Sequence, residues 1–293
     1  MSEPVTFHVG PYRCHLLDGG RQRLDGGAMF GVVPKPLWEK RIPADERNRI
    51  PLAMRCMLIE HDVGPVLVDT GAGNKDSEKF RTIYGIENAG ARGPTVLEDS
   101  LAAVGFTPAD VKYVINTHLH FDHAGGNTYV EWTADGASGP PLLAFPEATY
   151  VTQRAELEFA HRANERTSAS YLLPNFDPIT RADRWRLVEG EVEVLPGIRV
   201  LPTPGHVPGH QSVVVSHGED VLCYLGDLVP TTAHLPLPWI MGYDVEPLVT
   251  LETKRRVLGR AESEEWRLAF EHDPVEGLGR VVRDGKSYGF APA

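Results

Sequence analysis

Seven residues, Thr117-His118-Leu119-His120-Phe121-Asp122-His123, carry four side chains able to ligate a metal ion. Imidazole nitrogen and carboxylate oxygen suit zinc and similar divalent cations. His118 and His120 are two apart, so in an extended segment they point the same way. Asp122 and His123 follow where the chain turns toward a helix and face a different point. One short segment can therefore serve two ions. A polar turn that happens to be rich in histidine would account for a lone His-x-His, but poorly for four candidate ligands this close together. Gly125 and Gly126 come just after and permit close backbone approach.

Three remote candidates each follow an apolar run. His206 lies in Thr203-Pro204-Gly205-His206-Val207-Pro208-Gly209-His210, Asp227 follows Val221 to Leu225, and His272 follows Arg267 to Glu271. Singly, each is an ordinary residue; their weight comes from joining the first cluster. His118, His120 and His206 would supply one ion and Asp122, His123 and His272 a second. Asp227 is the natural bridge, because one carboxylate offers an oxygen to each. Two ions about 3.5–4 Å apart can share a hydroxide, lowering the pKa of water toward about 7. They also hold the oxyanion formed when that hydroxide attacks a carbonyl or phosphoryl centre. His210 is read as fixing its loop. Asp69 is read either as orienting a ligating histidine or as a turn-forming residue. His8, His15, His61, His161 and His217 lack such a context.

The elements that must position these residues follow from pattern. Val111 to Asn116 reads as a buried strand, and Thr95 to Val104 as a helix stopped by Gly105. Residues 5 to 17 suggest a first strand, Asp18 to Gly27 a glycine-rich turn, and Ala28 to Trp38 an apolar, irregular loop that either packs on the core or lines a pocket. Strands are expected at Arg55–Glu60, Pro65–Asp69, Trp185–Val188, Val192–Val194, Ile198–Val200, Gln211–Val215, Val221–Leu225 and Arg267–Glu271. Residues 133 to 141 read as a surface loop. Ala148 to Ala163 reads as a helix with Glu156, Glu158 and His161 on a solvated face, and Asn164 to Asp183 as a polar connection. Glu246 to Ala261 reads as a helix. Several strand ends meeting at one rim is how a sheet scaffold builds a site.

Composition limits the partners. The chain has 293 residues and a formal net charge of −11, which disfavours nucleic acid and anionic membrane surfaces. No apolar run reaches the ~20 residues of a membrane helix, and the first ten residues lack the basic and apolar regions of a signal peptide. Cys14, Cys56 and Cys223 are scattered and read as free thiols, so a cytoplasmic location is expected. The expected organisation is one domain over 1–293, with 1–50 as an N-terminal strand and apolar loop extension.

The Thr117–His123 segment resembles the HxHxDH signature of the metallo-β-lactamase superfamily. Thr203-Pro204-Gly205-His206, Gly226-Asp227 and His272 match its later motifs in order, over roughly residues 50 to 275. The resemblance implies an α/β fold, a four-layer αβ/βα sandwich with a dinuclear site at the edge of the two sheets. It implies two divalent ions, zinc by default, with manganese, cobalt, nickel or iron able to take the same ligands. Asp122 together with His123 and His272 resembles the dinuclear hydrolases, including the N-acyl-homoserine lactonases. Asp25 to Trp38, and Pro238-Trp239-Ile240 with Tyr243-Asp244, are similar to segments of probable quorum-quenching lactonases. The implied reaction is opening of a lactone ring by a metal-bridging hydroxide, with Asp122 passing a proton to the leaving alkoxide. Met29, Phe30, Trp38, Trp239 and Ile240 would wall an acyl chain or else pack in the core.

One position departs from that pattern. Homoserine lactonases carry a substrate-holding tyrosine three residues after the bridging aspartate, where this chain has Pro230. Thr231, Thr232 and His234 are the candidates to replace it, and His234 is chosen. The expected partner is a small lactone or ester, with a homodimer left open. A metallo-esterase or organophosphate triesterase is the main alternative, and a β-lactamase or a metal-holding effector-binding module the lesser ones. A nuclease is disfavoured by charge, and a single-iron persulfide dioxygenase by the complete second ligand set.

Overall fold

A computed structural model of the chain describes residues 3–133 and 138–292. The chain opens with β1 (Val5–Val9), β2 (Tyr12–Asp25), α1 (Gly26–Phe30), α2 (Lys35–Trp38), β3 (Arg49–Glu60), β4 (Val66–Val68), α3 (Glu78–Tyr84) and α4 (Val96–Ala103). It continues through β5 (Tyr113–Ile115), α5 (Phe121–Ala124), β6 (Thr128–Tyr129), β7 (Leu142–Leu143), β8 (Thr149–Gln153), α6 (Arg154–His161), α7 (Asp177–Arg181) and β9 (Trp185–Val188). The last part holds β10 (Val192–Leu195), β11 (Ile198–Pro202), β12 (Gln211–His217), β13 (Asp220–Tyr224), α8 (Pro247–Ser263), β14 (Arg267–Ala269), β15 (Leu278–Asp284) and β16 (Ser287–Pro292).

Two compact units emerge. The first comprises Met1–His8, Tyr12–Gly20 and Met54–Val188; the second Val9–Pro11, Arg21–Ala53 and Glu189–Ala293. One seven-stranded sheet runs in the order β1-β2-β3-β4-β5-β8-β9. Its strands β4, β5, β8 and β9 are mutually parallel, so their carboxyl ends share one edge. Leu97 and Leu101 of α4 and Ile179 of α7 pack with Leu58, Leu67, Val114 and Tyr150 in the core of this unit. Thr95 precedes α4, its N–H donating to the Glu98 carboxylate at 2.9 Å, and Gly105 follows the end of the helix at φ +90°, the stop its sequence predicts.

The other seven-stranded sheet runs β10 through β16 in chain order. Strands β11 and β13 both run antiparallel to β12, and β14 is parallel to β13. Hence β11, β13 and β14 point one way and release their following loops at a common edge. Val257, Leu258 and Ala261 of α8 bury against Val214, Cys223, Leu268 and Val281 of this sheet. Cys14, Cys56 and Cys223 are free and buried. Burial pushes the Cys223 thiol up to about 12, which leaves it protonated and inert. Among the described residues, no helix is long and apolar enough to cross a membrane.

The sequence reading needs correction in five places. Residues 5 to 17 are not one strand but β1, a turn at Gly10-Pro11 and the start of β2. The supposed turn from Asp18 to Gly27 is mostly β2. A side chain at Gly19 would overlap the Met54 carbonyl, so glycine there marks close approach of two strands rather than a turn. Ala28 to Trp38 is not irregular throughout: α1 is capped by Asp25, whose carboxylate accepts the Ala28 N–H, and α2 follows Pro34. The helix expected from Ala148 is first a strand, because Thr149-Tyr150-Val151-Thr152 suits a pleated, buried position. The connection from Asn164 to Asp183 contains α7 and buries Tyr171, Phe176 and Ile179. Of the expected surface loop at 133 to 141, positions 134–137 lie outside the described residues.

Gly126 illustrates the packing in the first unit. Its N–H donates to the Gly71 carbonyl at 2.8 Å, and a Cβ there would overlap the Thr70 carbonyl oxygen. Gly126→Ala is expected to cost about 1–3 kcal/mol through overpacking against backbone. Gly139, with nothing near its missing Cβ, is the control, and G139A should stay within about 0.5 kcal/mol of wild type. Denaturant melts of the two variants check this.

Candidate metal centre

In the first unit, Asp69 leaves β4 in the left-handed region, at φ +54°, a conformation aspartate tolerates better than most residues. Its buried carboxylate gathers the loop after β5. It accepts the Thr117 N–H at 2.8 Å, the Thr117 hydroxyl at 2.7 Å and the His123 Nδ1–H at 3.1 Å. Because the Thr117 hydroxyl donates to Asp69, its oxygen is left to accept from His118 Nδ1, 3.1 Å away. Two imidazoles are thus held through Nδ1, which directs Nε2 outward as a lone pair. The rings converge: His118 lies 4.5 Å from His120 and 4.0 Å from His123 by centroid. Asp122 Oδ1 sits 3.9 Å from His123 Nε2. Asp69 therefore orients the histidine loop, the first of the two roles its sequence left open.

Two further groups fix this loop. Glu156 is fully buried, and its Oε1 accepts the Leu119 N–H and the Tyr171 hydroxyl, each at 2.9 Å. It clamps the residue between His118 and His120, while the Tyr171 ring meets His120 edge to face at 4.6 Å. Burial and the Glu156 charge hold the Tyr171 hydroxyl well above its usual range, so it stays a donor. The expected solvated face is thus wrong for Glu156, although Glu158 and His161 are exposed. Lys75, unremarked in the sequence, donates to the Gly125 and Thr128 carbonyls just beyond α5.

In the second unit, His206, Asp227 and His272 follow β11, β13 and β14 at the common edge. The two Asp227 oxygens are shared out: Oδ2 is 3.1 Å from His206 Nε2, and Oδ1 is 3.1 Å from His272 Nε2. The far nitrogens are tethered. His206 Nδ1–H donates to Asp244 at 2.8 Å, and His272 Nδ1–H donates to the Ala53 carbonyl at 2.7 Å. A carbonyl can only accept, so the His272 tautomer is fixed with its lone pair on Nε2. His210 spends both nitrogens on the scaffold. Its Nε2 accepts the Asp227 N–H at 3.0 Å, and its Nδ1 meets the Thr203 hydroxyl at 2.8 Å. It fixes the loop, as expected.

Residues 51–272 match the family model of the metallo-beta-lactamase superfamily. The chain belongs to this superfamily. It is 35% identical over 173 residues to an N-acyl homoserine lactonase of Bacillus cereus, a match covering 57% of this chain and 60% of that protein. The chain thus spans less than two thirds of that relative. A solved structure from Staphylococcus aureus, described as a probable metal-dependent hydrolase, is similar at a TM-score of 0.85 and 31% identity, covering 98% of this chain and 99% of that one. An N-acyl homoserine lactone hydrolase with N-hexanoyl-L-homoserine bound at its catalytic metal centre is similar at a TM-score of 0.64 and 26% identity, covering 89% and 92%. The fold class expected from the sequence, α/β of the metallo-β-lactamase type, therefore holds. The donors also fit the divalent cations of a metallo-β-lactamase protein: borderline nitrogen and hard oxygen ligands, with four of the five imidazoles seen to be held by Nδ1.

The apolar residues expected to wall a substrate divide into two kinds. Met29, Phe30 and Trp38 are fully buried, while Trp239 and Ile240 are half-buried. Phe30 is the hub, stacked on Trp38 at 5.2 Å and on His234 at 4.5 Å, with Trp239 edge-on at 5.7 Å. His234 does not have the free nitrogen that its expected role requires. Its Nε2–H donates to the Met29 carbonyl and its Nδ1 accepts from the Thr231 hydroxyl, both at 2.8 Å. Burial pulls its pKa down to about 3, so it is neutral and joins two segments of the second unit.

Asp244 fixes the His206 ring through Nδ1, and removing that acceptor frees the ring to rotate and swap tautomers. Asp244→Ala is expected to weaken divalent-ion binding at that ligand about 10- to 100-fold. Asp244→Asn, which keeps an acceptor oxygen, should fall between the two. Competition against a chromogenic chelator reads both.

Proposed function

We propose that this chain is a metal-dependent N-acyl-homoserine lactonase whose centre joins the two donor sets. In this reading His118, His120 and His206 hold one divalent ion and Asp122, His123 and His272 a second. Asp227 would give an oxygen to each, and zinc is the first choice of metal. What carries the reading is the tethering of the imidazoles by Nδ1, found in a superfamily member that is 35% identical over its matched part to a named lactonase. Bound ions supply an acidified water and polarise the lactone carbonyl.

The chain's own residues do the rest. Asp122 would take up on its carboxyl oxygen the proton that the attacking water gives up and pass it to the departing alkoxide. Trp239 and Ile240 line the acyl chain, while Met29, Phe30 and Trp38 back them from the core. We further propose a reducing compartment, which keeps the three buried thiols free. The ester, organophosphate, β-lactam and non-catalytic readings have no observation of their own in their favour.

Purified protein should open N-acyl-homoserine lactones, lose at least about 100-fold of that rate on chelation, and regain it with zinc or manganese. Asp122→Asn, which removes a charge from the second donor set, should bind that ion more weakly and, even at saturating metal, lose about 10²- to 10⁴-fold in kcat. Acid release followed in weak buffer reads each step. A metal-loaded protein inert toward every chain length would retire the lactonase; full activity after stripping would retire the metal.

A further inference from the structure

We propose that Lys254 sets the acyl-chain preference of the site by holding the 234–239 turn, so that it acts through Trp239 and Ile240 without touching substrate. The inference rests on the lactonase reading above. Lys254 sits in α8 and is 1% exposed. Its Nζ donates to the His234 carbonyl at 2.7 Å, the Trp239 carbonyl at 2.8 Å and the Pro236 carbonyl at 3.0 Å, with the Leu237 carbonyl at 3.4 Å. An ammonium has three N–H donors, and all are directed at one turn of six residues.

The composition of that turn explains the need. In Leu235-Pro236-Leu237-Pro238-Trp239, the two prolines lack an N–H, which limits the local backbone hydrogen bonds that could fix it. Within it, Trp239 N–H donates to the Pro236 carbonyl at 3.0 Å. The cation supplies the remaining cross-links. Burial draws the Lys254 pKa down to about 7, so the three-donor ammonium form is complete only below that value.

The turn presents the half-buried part of the proposed wall. Trp239 meets Phe30 edge-on, and the Arg41 guanidinium lies 5.9 Å from its ring. Just beyond, Gly242 N–H donates to the Ala28 carbonyl at 2.8 Å, and a side chain at Gly31 would collide with the Ile240 carbonyl. Residues 240–242 are therefore pinned to α1 on one side and the turn to α8 on the other. Releasing Lys254 frees the α8 side alone, which displaces Trp239 and Ile240, the residues proposed to meet an acyl tail, and leaves the histidine ligands seated.

The test uses full-length, metal-loaded protein with Lys254→Met, Trp239→Ala and the double variant, assayed on short- and long-chain N-acyl-homoserine lactones. K254M should raise KM about tenfold for long chains and about twofold or less for short ones. Its kcat should move by less than about threefold, and its metal content should match wild type. Amide exchange over residues 234–241 should speed up at least tenfold. The double variant should be no worse than W239A, since both changes act through one ring. Equal loss on all chain lengths, multiplying losses in the double variant, or unchanged exchange in the turn overturns the proposal. If K254M does not fold, Lys254→Arg replaces it. Its rigid planar fork cannot meet three convergent carbonyls, so a three- to tenfold long-chain KM increase is expected, and a wild-type KM overturns the proposal. A wild-type protein that opens no lactone defeats the functional reading instead, while the exchange measurement still reports on the turn.

Discussion

An imidazole presents a ligating nitrogen in a fixed direction when its second nitrogen is committed elsewhere. That constraint accounts for the partners of four buried histidines in this chain. Asp69, the Thr117 hydroxyl, Asp244 and the Ala53 carbonyl each engage one Nδ1. Each leaves an Nε2 lone pair in a set direction. Two of these partners lie far from their histidine in sequence: Asp69 is 54 residues before His123, and Ala53 is 219 before His272. The fold is needed because such tethers cannot be made locally.

Strand direction is how the tethers are delivered. Strands β4, β5 and β8 are parallel, so Asp69, His118 and Glu156 all belong to segments leaving the same edge of one sheet. In the other sheet, β13 and β14 pair in register from Leu222 with Arg267 to Tyr224 with Ala269. Asp227 and His272 each come three residues after that last pair. They reach equivalent heights, and each Asp227 oxygen meets a different imidazole. Glycine supplies the closeness: Gly126 lies against the Thr70 carbonyl because nothing larger fits.

How much of this the sequence disclosed depends on range. The Thr117–His123 cluster is legible because its spacing is local and its residue types are rare together. His206, Asp227 and His272 are legible as residues that follow apolar runs. Glu156 is not, since a glutamate between Ala155 and Leu157 looks solvated on a helix. Its partners, the Leu119 N–H and the Tyr171 hydroxyl, are 37 and 15 residues away. Asp18-Gly19-Gly20 spells a turn to any local rule, yet the strand passes through because a neighbouring backbone comes close. The same blindness hid Lys75 and Lys254, which spend their charges on carbonyls, groups that leave no trace in a sequence pattern.

The departure at Pro230 gains a physical meaning from these contacts. Homoserine lactonases, by the resemblance noted, place a tyrosine hydroxyl there. A proline has no polar side-chain atom to offer a substrate, but its carbonyl accepts the His272 N–H at 3.0 Å. That position holds the backbone of His272. His234 cannot restore the missing donor, because its nitrogens are engaged by Met29 and Thr231. In the proposed lactonase reading, recognition then rests less on a hydroxyl and more on apolar surface, which shape defines rather than hydrogen bonding. An apolar wall discriminates between chain lengths by only about 1–3 kcal/mol per methylene. Rigidity of that wall is what keeps even so small a difference, and a turn fixed by a buried cation is one of the few ways a proline-rich segment can be made rigid.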